Sequence, residues 1–376
     1  MGADHCLREA QDARRRRHGA RARHGREHGH AAVDGGILHR HILTNNLSRL
    51  SGIVHVAAGR YLGFININEE MTMHTHAAAL RITTSFVFAT LATAGCAGNG
   101  AMGVTEPGAT PSAISTQVYV SAPEAFSATS TLILGESSAI LVDAQFTLSE
   151  GAKVAEWIAG TGKELQAIYI THAHPDHYFG AVSVLEQFPD TPVYTKAVVR
   201  EHMLAHAAKD LEEWKPIYGA ELPDQPVFPE VLEADFLTLE GHRIDIVSLE
   251  QADMEDVTAV HIPDIDTVIT GDLTYRGMHA WLAETDKEGR GAWLESIEQI
   301  KALAPEVVIS GHKVASLADD PVVLDDTAAY IRKFDELLGQ NADAEALFAA
   351  MKQAYPDLAG DIILQFATQA AYASGS

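Results

Sequence analysis

The chain is best interpreted outward from residues 169–177, which read Tyr169-Ile170-Thr171-His172-Ala173-His174-Pro175-Asp176-His177. They overlap the end of the apolar run Leu165 to Ile170, which is short and leads into small and polar residues, as a buried strand entering a loop does. Imidazole nitrogens combined with a carboxylate are the ligands of a zinc-like ion that keeps a position open for water. Three histidines and an aspartate within six residues, directly after a rigid strand, therefore predict a metal site.

The run from His172 to His177 has the pattern His-x-His-x-Asp-His, and with it the chain resembles the metallo-β-lactamase superfamily. Two later segments resemble further landmarks of that family. Ile269-Thr270-Gly271-Asp272 is similar to a strand that ends in Gly-Asp, and Val308-Ile309-Ser310-Gly311-His312 to a last strand that ends in Gly-His. The three segments come in the family's order, and the resemblance extends from about Gln117 to Leu338.

The resemblance implies a centre of two metal ions, with Zn²⁺ as the expected cofactor. In this family the residues at the positions of His172 and His174 bind the first ion, and a bridging carboxylate stands at the position of Asp272. The second ion would be bound by the following residues: Asp176, His177 and His312.

One position departs from the family pattern. Where a Gly-His pair is usual, alignment through residues 256–263 gives Glu250-Gln251. Gln251 would offer only a neutral amide oxygen, a weaker zinc donor than imidazole, so we expect the first site to bind its ion weakly. Glu250 or Asp253 could instead supply a carboxylate, and the sequence leaves these three alternatives open.

Asp272 and the residues that follow it indicate which kind of superfamily member the chain resembles and which side chains line its substrate pocket. With Asp272 at this position, the chain resembles lactonase-like, glyoxalase-like and thioesterase-like members more than β-lactamases, which tend to have Cys or Ser there. Tyr275, His279 and Trp281 follow it closely, and we expect them to line the substrate pocket.

The pattern along the chain predicts an α/β fold. Three short strands precede a helix from Ser149 to Ile158 and the strand that enters the histidine motif. Hairpins are expected near residues 237–249 and 257–270, and helices near 293–303, 321–338 and 344–355. Together with the resemblance, this alternation indicates an αββα sandwich: two mixed β-sheets with helices outside and the metal site at one edge.

Charge is distributed unevenly and excludes one class of partner. Of 27 basic and 51 acidic residues, residues 1–96 contain 12 and 7, so the remainder has 15 and 44. A surface this acidic repels phosphate backbones, and nucleic-acid binding is therefore not expected. The only cysteines are Cys6 and Cys96, so no thiolate ligand is available beyond position 96.

The first 96 residues do not read as a folded domain. Residues 1–70 have basic runs and no apolar periodicity, and we expect a non-native or disordered extension before a true start at Met71 or Met73. Residues 71–96 have a positive charge at Arg81 and a short apolar core, typical of a secretory signal. Their end resembles a lipobox, which would make Cys96 the site of a lipid anchor; an ordinary cleaved signal, or a buried helix with an incidental cysteine, is the alternative.

The remaining boundaries follow from composition. Residues 97–116 are rich in Gly, Ala, Thr, Pro and Ser and predict a flexible tether. The metallo-hydrolase domain is expected over 117–340, followed by a helical tail over 341–376. This organisation predicts an exported bacterial protein, periplasmic or membrane-anchored, that acts on a small molecule; its oligomeric state stays open.

The resemblance implies a hydrolase in which metal-bound hydroxide attacks an ester, lactone, lactam or related carbonyl bond, with Asp176 or a bound water able to carry the proton. Two alternatives remain open: a metal- or ligand-binding lipoprotein without catalysis, and oxygen chemistry at a single iron on the same scaffold.

The proposed boundaries can be checked by shortening the chain. A protein that begins at Ala97 should fold and bind zinc as the full-length chain does, because the metal ligands and the apolar periodicity all lie beyond it. Circular dichroism and zinc titration of both proteins test this. Loss of folding in the shorter protein alone would place part of the domain before Ala97.

Overall fold

The computed structural model describes residues 114–373, and the predicted extension, the signal-like segment, Cys96 and most of the predicted tether lie outside that range. Within it, the first sheet is mixed. Strands β1 to β3 are antiparallel, and β3 to β6 are parallel. The six strands lie side by side in chain order: β1 (Ser115–Val120), β2 (Thr129–Leu134), β3 (Ser138–Val142), β4 (Glu164–Tyr169), β5 (Val193–Thr195) and β6 (Glu230–Val231).

The second sheet is also mixed, with a meander of three hairpins and one parallel pair at its edge. Its strands lie in the order β12–β10–β9–β8–β7. They are β7 (Phe236–Leu239), β8 (His242–Gln251), β9 (Glu255–Ile262), β10 (Thr267–Ile269) and β12 (Val307–Ile309). A small parallel pair, β11 (Tyr275–Arg276) and β13 (His312–Lys313), lies after the ends of β10 and β12.

Helices cover the outer faces of both sheets. The first sheet packs on the first three helices, and the second on the last four. The bounds are α1 (Leu148–Thr161), α2 (Ala181–Gln187), α3 (Ala197–Tyr218), α4 (Lys287–Lys301), α5 (Val322–Leu338), α6 (Ala344–Ala354) and α7 (Asp361–Ala373). Among residues 114–373, no helix combines the length and the apolar character needed to cross a bilayer.

The space between the sheets is filled by β-branched and other apolar side chains from both. Ile140 and Val142 of β3 lie in one cluster with Ile246 of β8 and Val260 of β9. Because β3 is covered on both faces, it reads as a nearly continuous apolar run, whereas β4 alternates at its start and is fully buried only from Ala167 to Tyr169. This shared core fixes the two sheets face to face, so the loops at one edge meet in a defined geometry.

Two hydrogen-bonded contacts join the sheets at that edge. Thr258 of β9 donates from its N–H and its hydroxyl to the Thr171 carbonyl, at 3.0 and 2.7 Å, directly after β4. Thr129, the first residue of β2, donates from its N–H to the Gly311 carbonyl at 2.7 Å. Residues next to His172 and His312 are thus held by backbone bonds between the two sheets.

The predicted fold class is confirmed: the described chain is an αββα sandwich of two mixed sheets. The boundaries differ in instructive places. β1 begins at Ser115, so the last two residues of the predicted tether already pair with β2. Helix α4 begins six residues before Trp293, because Asp286 caps it by accepting from the Gly289 N–H at 2.8 Å. Strands β6, β11 and β13 are two residues long and were not predicted, since so short a strand has no periodicity.

Helices α1 and α2 approach so closely that one position in α1 requires glycine. A Cβ on Gly151 would lie 2.2 Å from the Gly180 carbonyl oxygen, which leaves no room for a methyl group. Gly160, on the same helix, has open space where a Cβ would stand. These two glycines provide a matched pair for testing the packing.

We expect Gly151→Ala to destabilise the protein by about 1–3 kcal/mol, the usual cost of overpacking. Gly160→Ala should instead stabilise it by up to about 1 kcal/mol, because alanine is the better helix former. Denaturant unfolding of both variants measures the difference. Equal stability of the two variants would contradict the close approach of α1 and α2.

Candidate metal centre

The histidine motif lies in the loop that leaves β4, at the edge where both sheets end. His172 lies in a bend, His174 is extended, and Pro175–His177 form one short helical turn with proline in its first position. The turn brings Asp176 and His177 back toward the strand end. Seven side chains from both sheets meet here.

Four of these side chains form the first donor group. Their candidate ligand atoms all lie within 4.8 Å of one another, and the members are His172, His174, Asp253 and Asp272. Nδ1 of His174 is 2.7 Å from Oδ2 of Asp253, and Nε2 of His172 is 4.0 Å from Oδ2 of Asp272. Asp253 comes from the turn between β8 and β9.

The second donor group contains Asp176, His177 and His312, again with candidate ligand atoms within 4.8 Å. Nε2 of His312 is 3.3 Å from Oδ2 of Asp176, and Nε2 of His177 is 4.0 Å from the same oxygen. This group joins the loop after β4 to β13.

Asp272 lies between the two groups. Its Oδ1 is 3.1 Å from Nε2 of His177, and its Oδ2 is 3.0 Å from Nε2 of His312, while Oδ2 also faces His172. The phenol of Tyr275 donates to Oδ2 at 2.6 Å. This is the position of a carboxylate shared by two cations, as the resemblance implied.

A set of partners behind the histidines fixes the orientation of the rings. Nδ1 of His177 donates to Asp143 at 2.9 Å, and Nδ1 of His312 donates to the Phe126 carbonyl at 2.8 Å. The Thr171 hydroxyl donates to Asp143 at 2.8 Å and accepts from Nδ1 of His172 at 2.9 Å. Each neutral ring therefore turns an Nε2 lone pair toward the cluster, as a metal ligand must.

The chemistry of the cluster fits a metal ion. Nε2 of His172, Nε2 of His177 and Oδ1 of Asp272 are buried, and none has a hydrogen-bond partner. Buried polar atoms are almost always satisfied, so three unsatisfied atoms that face one another indicate a cation-binding site. Nitrogen and carboxylate donors of this kind suit Zn²⁺.

The titration behaviour of the cluster agrees with this fit. Burial opposes the charge on His312, yet Asp272 and Asp176 raise its pKa to about 10. Burial likewise opposes the charge on Asp272, but His312 and His177 hold its pKa well below the ordinary value. Burial raises the pKa of Asp253 to about 7, against the attraction of His174. Protons on His177 and His312 thus compensate the carboxylates, which is the role that a dication would take over.

Two glycines make room for the shared carboxylate. A Cβ on Gly311 would lie 2.0 Å from Oδ1 of Asp272, and Gly271 has φ +51°, in the left-handed region. The glycine of the Gly-His pair is therefore explained by the space that Asp272 needs, and that of the Gly-Asp pair by its left-handed backbone and by Thr171, whose Oγ1 would lie 2.8 Å from a Cβ on Gly271.

The structure distinguishes among the three alternatives for the third ligand of the first site. Asp253 is fully buried and lies within the donor group. The Gln251 amide donates to the Ala252 carbonyl at 3.1 Å and packs against Gly289 of α4, with its oxygen 3.5 Å from where a Cβ would stand. Glu250 is exposed. The geometry favours the carboxylate of Asp253 over the predicted Gln251.

The three predicted pocket residues lie in different surroundings. Tyr275 is buried between Asp272 and the His312 ring, on which it stacks at 5.2 Å between centroids. Trp281 is half-buried with its ring 6.4 Å from that of His174. His279 is fully buried. Its ring Nδ1 is 2.9 Å from the Tyr330 hydroxyl, and its backbone N–H donates to the Ala359 carbonyl, so it contacts the helical layer.

Sequence reasoning missed several residues of the site. Glu284 lies 3.1 Å from Nε2 of His174 and accepts from the Trp281 indole at 3.3 Å. Phe126, Trp214 and Phe366 form an aromatic surface beside the cluster. No motif marks these residues, because the folded chain alone brings them together.

Comparisons with known proteins agree with this geometry. The family model of the metallo-β-lactamase superfamily matches residues 123–312, about half of the chain. No curated protein matches the sequence. The chain therefore belongs to the metallo-β-lactamase superfamily, as the histidine motif and the fold indicate.

Several solved structures are similar to the chain. A metallo-β-lactamase family protein from Thermus thermophilus is 17% identical, with a TM-score of 0.49 over 69% of this chain and 91% of that one. A metallo-β-lactamase from Pontibacter korlensis is 16% identical, with a TM-score of 0.43 over 58% and 94%. One from Hirschia baltica is 19% identical, with a TM-score of 0.42 over 57% and 91%. Sequence identities this low do not indicate which substrate the chain takes.

The assignment of the third ligand can be tested with two variants that lie two residues apart. Asp253→Asn should weaken zinc binding by at least about 10–100-fold, since changes beside a metal ligand already cost that much. Gln251→Ala should bind zinc with the affinity of the wild type. Competition with a chromophoric chelator measures both.

A loss in Gln251→Ala as large as that in Asp253→Asn would return Gln251 to the coordination sphere. Circular dichroism of both metal-free variants controls for unfolding.

Proposed function

We propose that this chain is a hydrolase that uses two zinc ions to cleave an ester, lactone, lactam or related carbonyl bond. The observation that supports it most strongly is the pair of donor groups joined by Asp272, with unsatisfied buried atoms facing inward. His172, His174 and Asp253 would hold the first ion, and Asp176, His177 and His312 the second. Superfamily membership supports a metal-dependent hydrolase in general terms.

Two zinc ions in such a site supply Lewis acidity for a carbonyl group and lower the pKa of a bound water enough to provide a nucleophile at neutral pH. The chain's own residues supply position and charge. Asp176, Asp253 and Asp272 bring three negative charges, which offset most of the charge of two dications. Asp143 and Thr171 hold the rings of His177 and His172, so that the donors are in place before the ions bind.

Proton transfer is assigned to Asp176. Its side chain is 15% exposed, whereas those of Asp253 and Asp272 are at most 3% exposed. It is therefore the carboxylate of the cluster that can exchange protons with solvent and still contact His312. Tyr275 donates to Asp272 and keeps that carboxylate oriented.

One observation favours a second candidate. His172, His174 and Asp253 form a set of two histidines and one carboxylate, which is also the ligand set of mononuclear iron oxygenases. The second donor group favours two ions over this alternative, because a single iron would leave Asp176, His177 and His312 without a function. The proposed export and lipid attachment at Cys96 rest on the sequence alone.

Metal analysis and a substrate panel test the proposal together. The purified chain should contain about two zinc ions and hydrolyse at least one class among esters, lactones, β-lactams, thioesters and phosphodiesters. Asp272→Ala should lose at least about 100-fold in rate and should lower metal content, because it removes the shared ligand. Asp224→Ala, at a carboxylate that is 98% exposed, is the matched control.

One iron per chain without hydrolysis would favour oxygen chemistry, and a chain that binds no metal would favour a binding protein. Full metal content and rate in Asp272→Ala would overturn the role of Asp272.

A further inference from the structure

Two of the seven donor side chains of the metal centre are partly exposed to solvent. The side chains of His174 and Asp176 are each 15% exposed, while those of the other five donors are at most 4% exposed: His172, His177, Asp253, Asp272 and His312. A substrate must therefore approach past His174 and Asp176. Side chains next to these two residues would contact the part of the substrate that does not react.

A row of aromatic rings begins at this side, where the Trp281 ring lies 6.4 Å from that of His174. Phe126 contacts Trp214 with ring centroids 5.5 Å apart, Trp214 contacts Phe366 at 6.4 Å, and Phe366 contacts Trp281 at 5.6 Å. We refer to these four residues as the aromatic arc. Its neighbouring rings are tilted or edge-on, as aromatic pairs prefer.

Both ends of the aromatic arc are attached to candidate metal ligands. At one end the Phe126 carbonyl accepts from Nδ1 of His312. At the other, the Trp281 ring lies 6.4 Å from the His174 ring, and Glu284 contacts both side chains. The arc is thus held in register with the donors rather than lying elsewhere on the surface.

Exposure separates the arc from ordinary core packing. All four rings are half-buried, whereas Phe146 and Phe179 beneath them are fully buried. Phe126 and Trp214 pack against the apolar cluster of the first sheet and Trp281 against that of the second, whereas Phe366 belongs to none of the three buried apolar clusters of the described chain. Four segments distant in sequence, including α3 and α7, each contribute one ring. A row of half-exposed rings beside a metal cluster is typical of a surface that binds an apolar ligand group.

We propose that the aromatic arc binds the ring-bearing, apolar part of an acyl substrate whose carbonyl group lies at the metal centre, and that Phe366 of α7 sets this specificity. This inference rests on the proposed hydrolase function for the reaction and on the arc's geometry for the substrate class. Phe366 stands in the middle of the arc, between Trp214 and Trp281, so its removal breaks the surface into two pieces.

Two matched esters test the specificity in the zinc-loaded full chain: 4-nitrophenyl 3-phenylpropanoate and 4-nitrophenyl acetate. The ratio of kcat/KM for the first to that for the second should fall at least about tenfold in Phe366→Ala, the size of effect expected when an apolar contact is lost. Phe366→Leu keeps most of the packing volume but lacks the ring, and its ratio should also fall. Gln365→Ala, on the same helix without a ring contact, should keep the wild-type ratio.

A binding measurement separates this inference from the hydrolase proposal. 4-Phenyl-2-butanone carries the same ring and chain and has no bond to hydrolyse, and its binding next to Trp214 and Trp281 should change the tryptophan emission saturably. Phe366→Leu should bind it at least about threefold more weakly, and Phe366→Ala at least about tenfold more weakly. Gln365→Ala should bind it as the wild type does.

The outcomes are distinct. Ketone binding that depends on Phe366, with neither ester hydrolysed, would support the arc and count against hydrolysis of esters. Hydrolysis with an unchanged ratio in both Phe366 variants, or no saturable ketone binding by the wild type, would overturn the arc and leave the hydrolase proposal intact.

Discussion

The site depends on one buried carboxylate that is not itself among the proposed ligands. Asp143, at the end of β3, accepts from the N–H and the hydroxyl of Thr171 and from Nδ1 of His177. These three bonds fix the backbone where β4 ends, the hydroxyl that orients His172, and the ring of His177. Asp143 adopts φ +59°, an uncommon conformation for a residue with a side chain, and the hydrogen bonds compensate its cost. These bonds therefore position one histidine of each donor group: His172 through Thr171, and His177 directly.

Much of the fold and of the site could be predicted because the relevant residues are local in sequence. His172, His174, Asp176 and His177 follow one strand, so the strand and a single turn determine where they point. Asp272 and His312 each follow a glycine at the end of a strand, and the structure brings both to the same edge. The strands β10 and β12 that lead to them are short apolar runs, a pattern typical of strands buried on both faces.

The third ligand of the first site and the aromatic arc were harder to predict from the sequence, for physical reasons. Asp253 lies in the turn between β8 and β9, where side-chain direction depends on turn geometry rather than on strand alternation. Alignment therefore reached Gln251, the last residue of β8, instead. Trp214 and Phe366 lie on helices, where an aromatic residue is ordinarily read as core. Only the docking of α3 and α7 brings these two rings into a row with Trp281, which contacts His174.

The donors come from both halves of the sandwich, and this has a consequence for folding. His172 to His177 follow the first sheet, whereas Asp253, Asp272 and His312 belong to segments of the second. A bound ion therefore acts as a cross-link between the sheets, and its binding free energy adds to the free energy of unfolding. At a free metal concentration 100 times the dissociation constant, that contribution is about 2.7 kcal/mol. Binding of the proposed ions would therefore raise the thermal stability of the chain, and their removal would lower it.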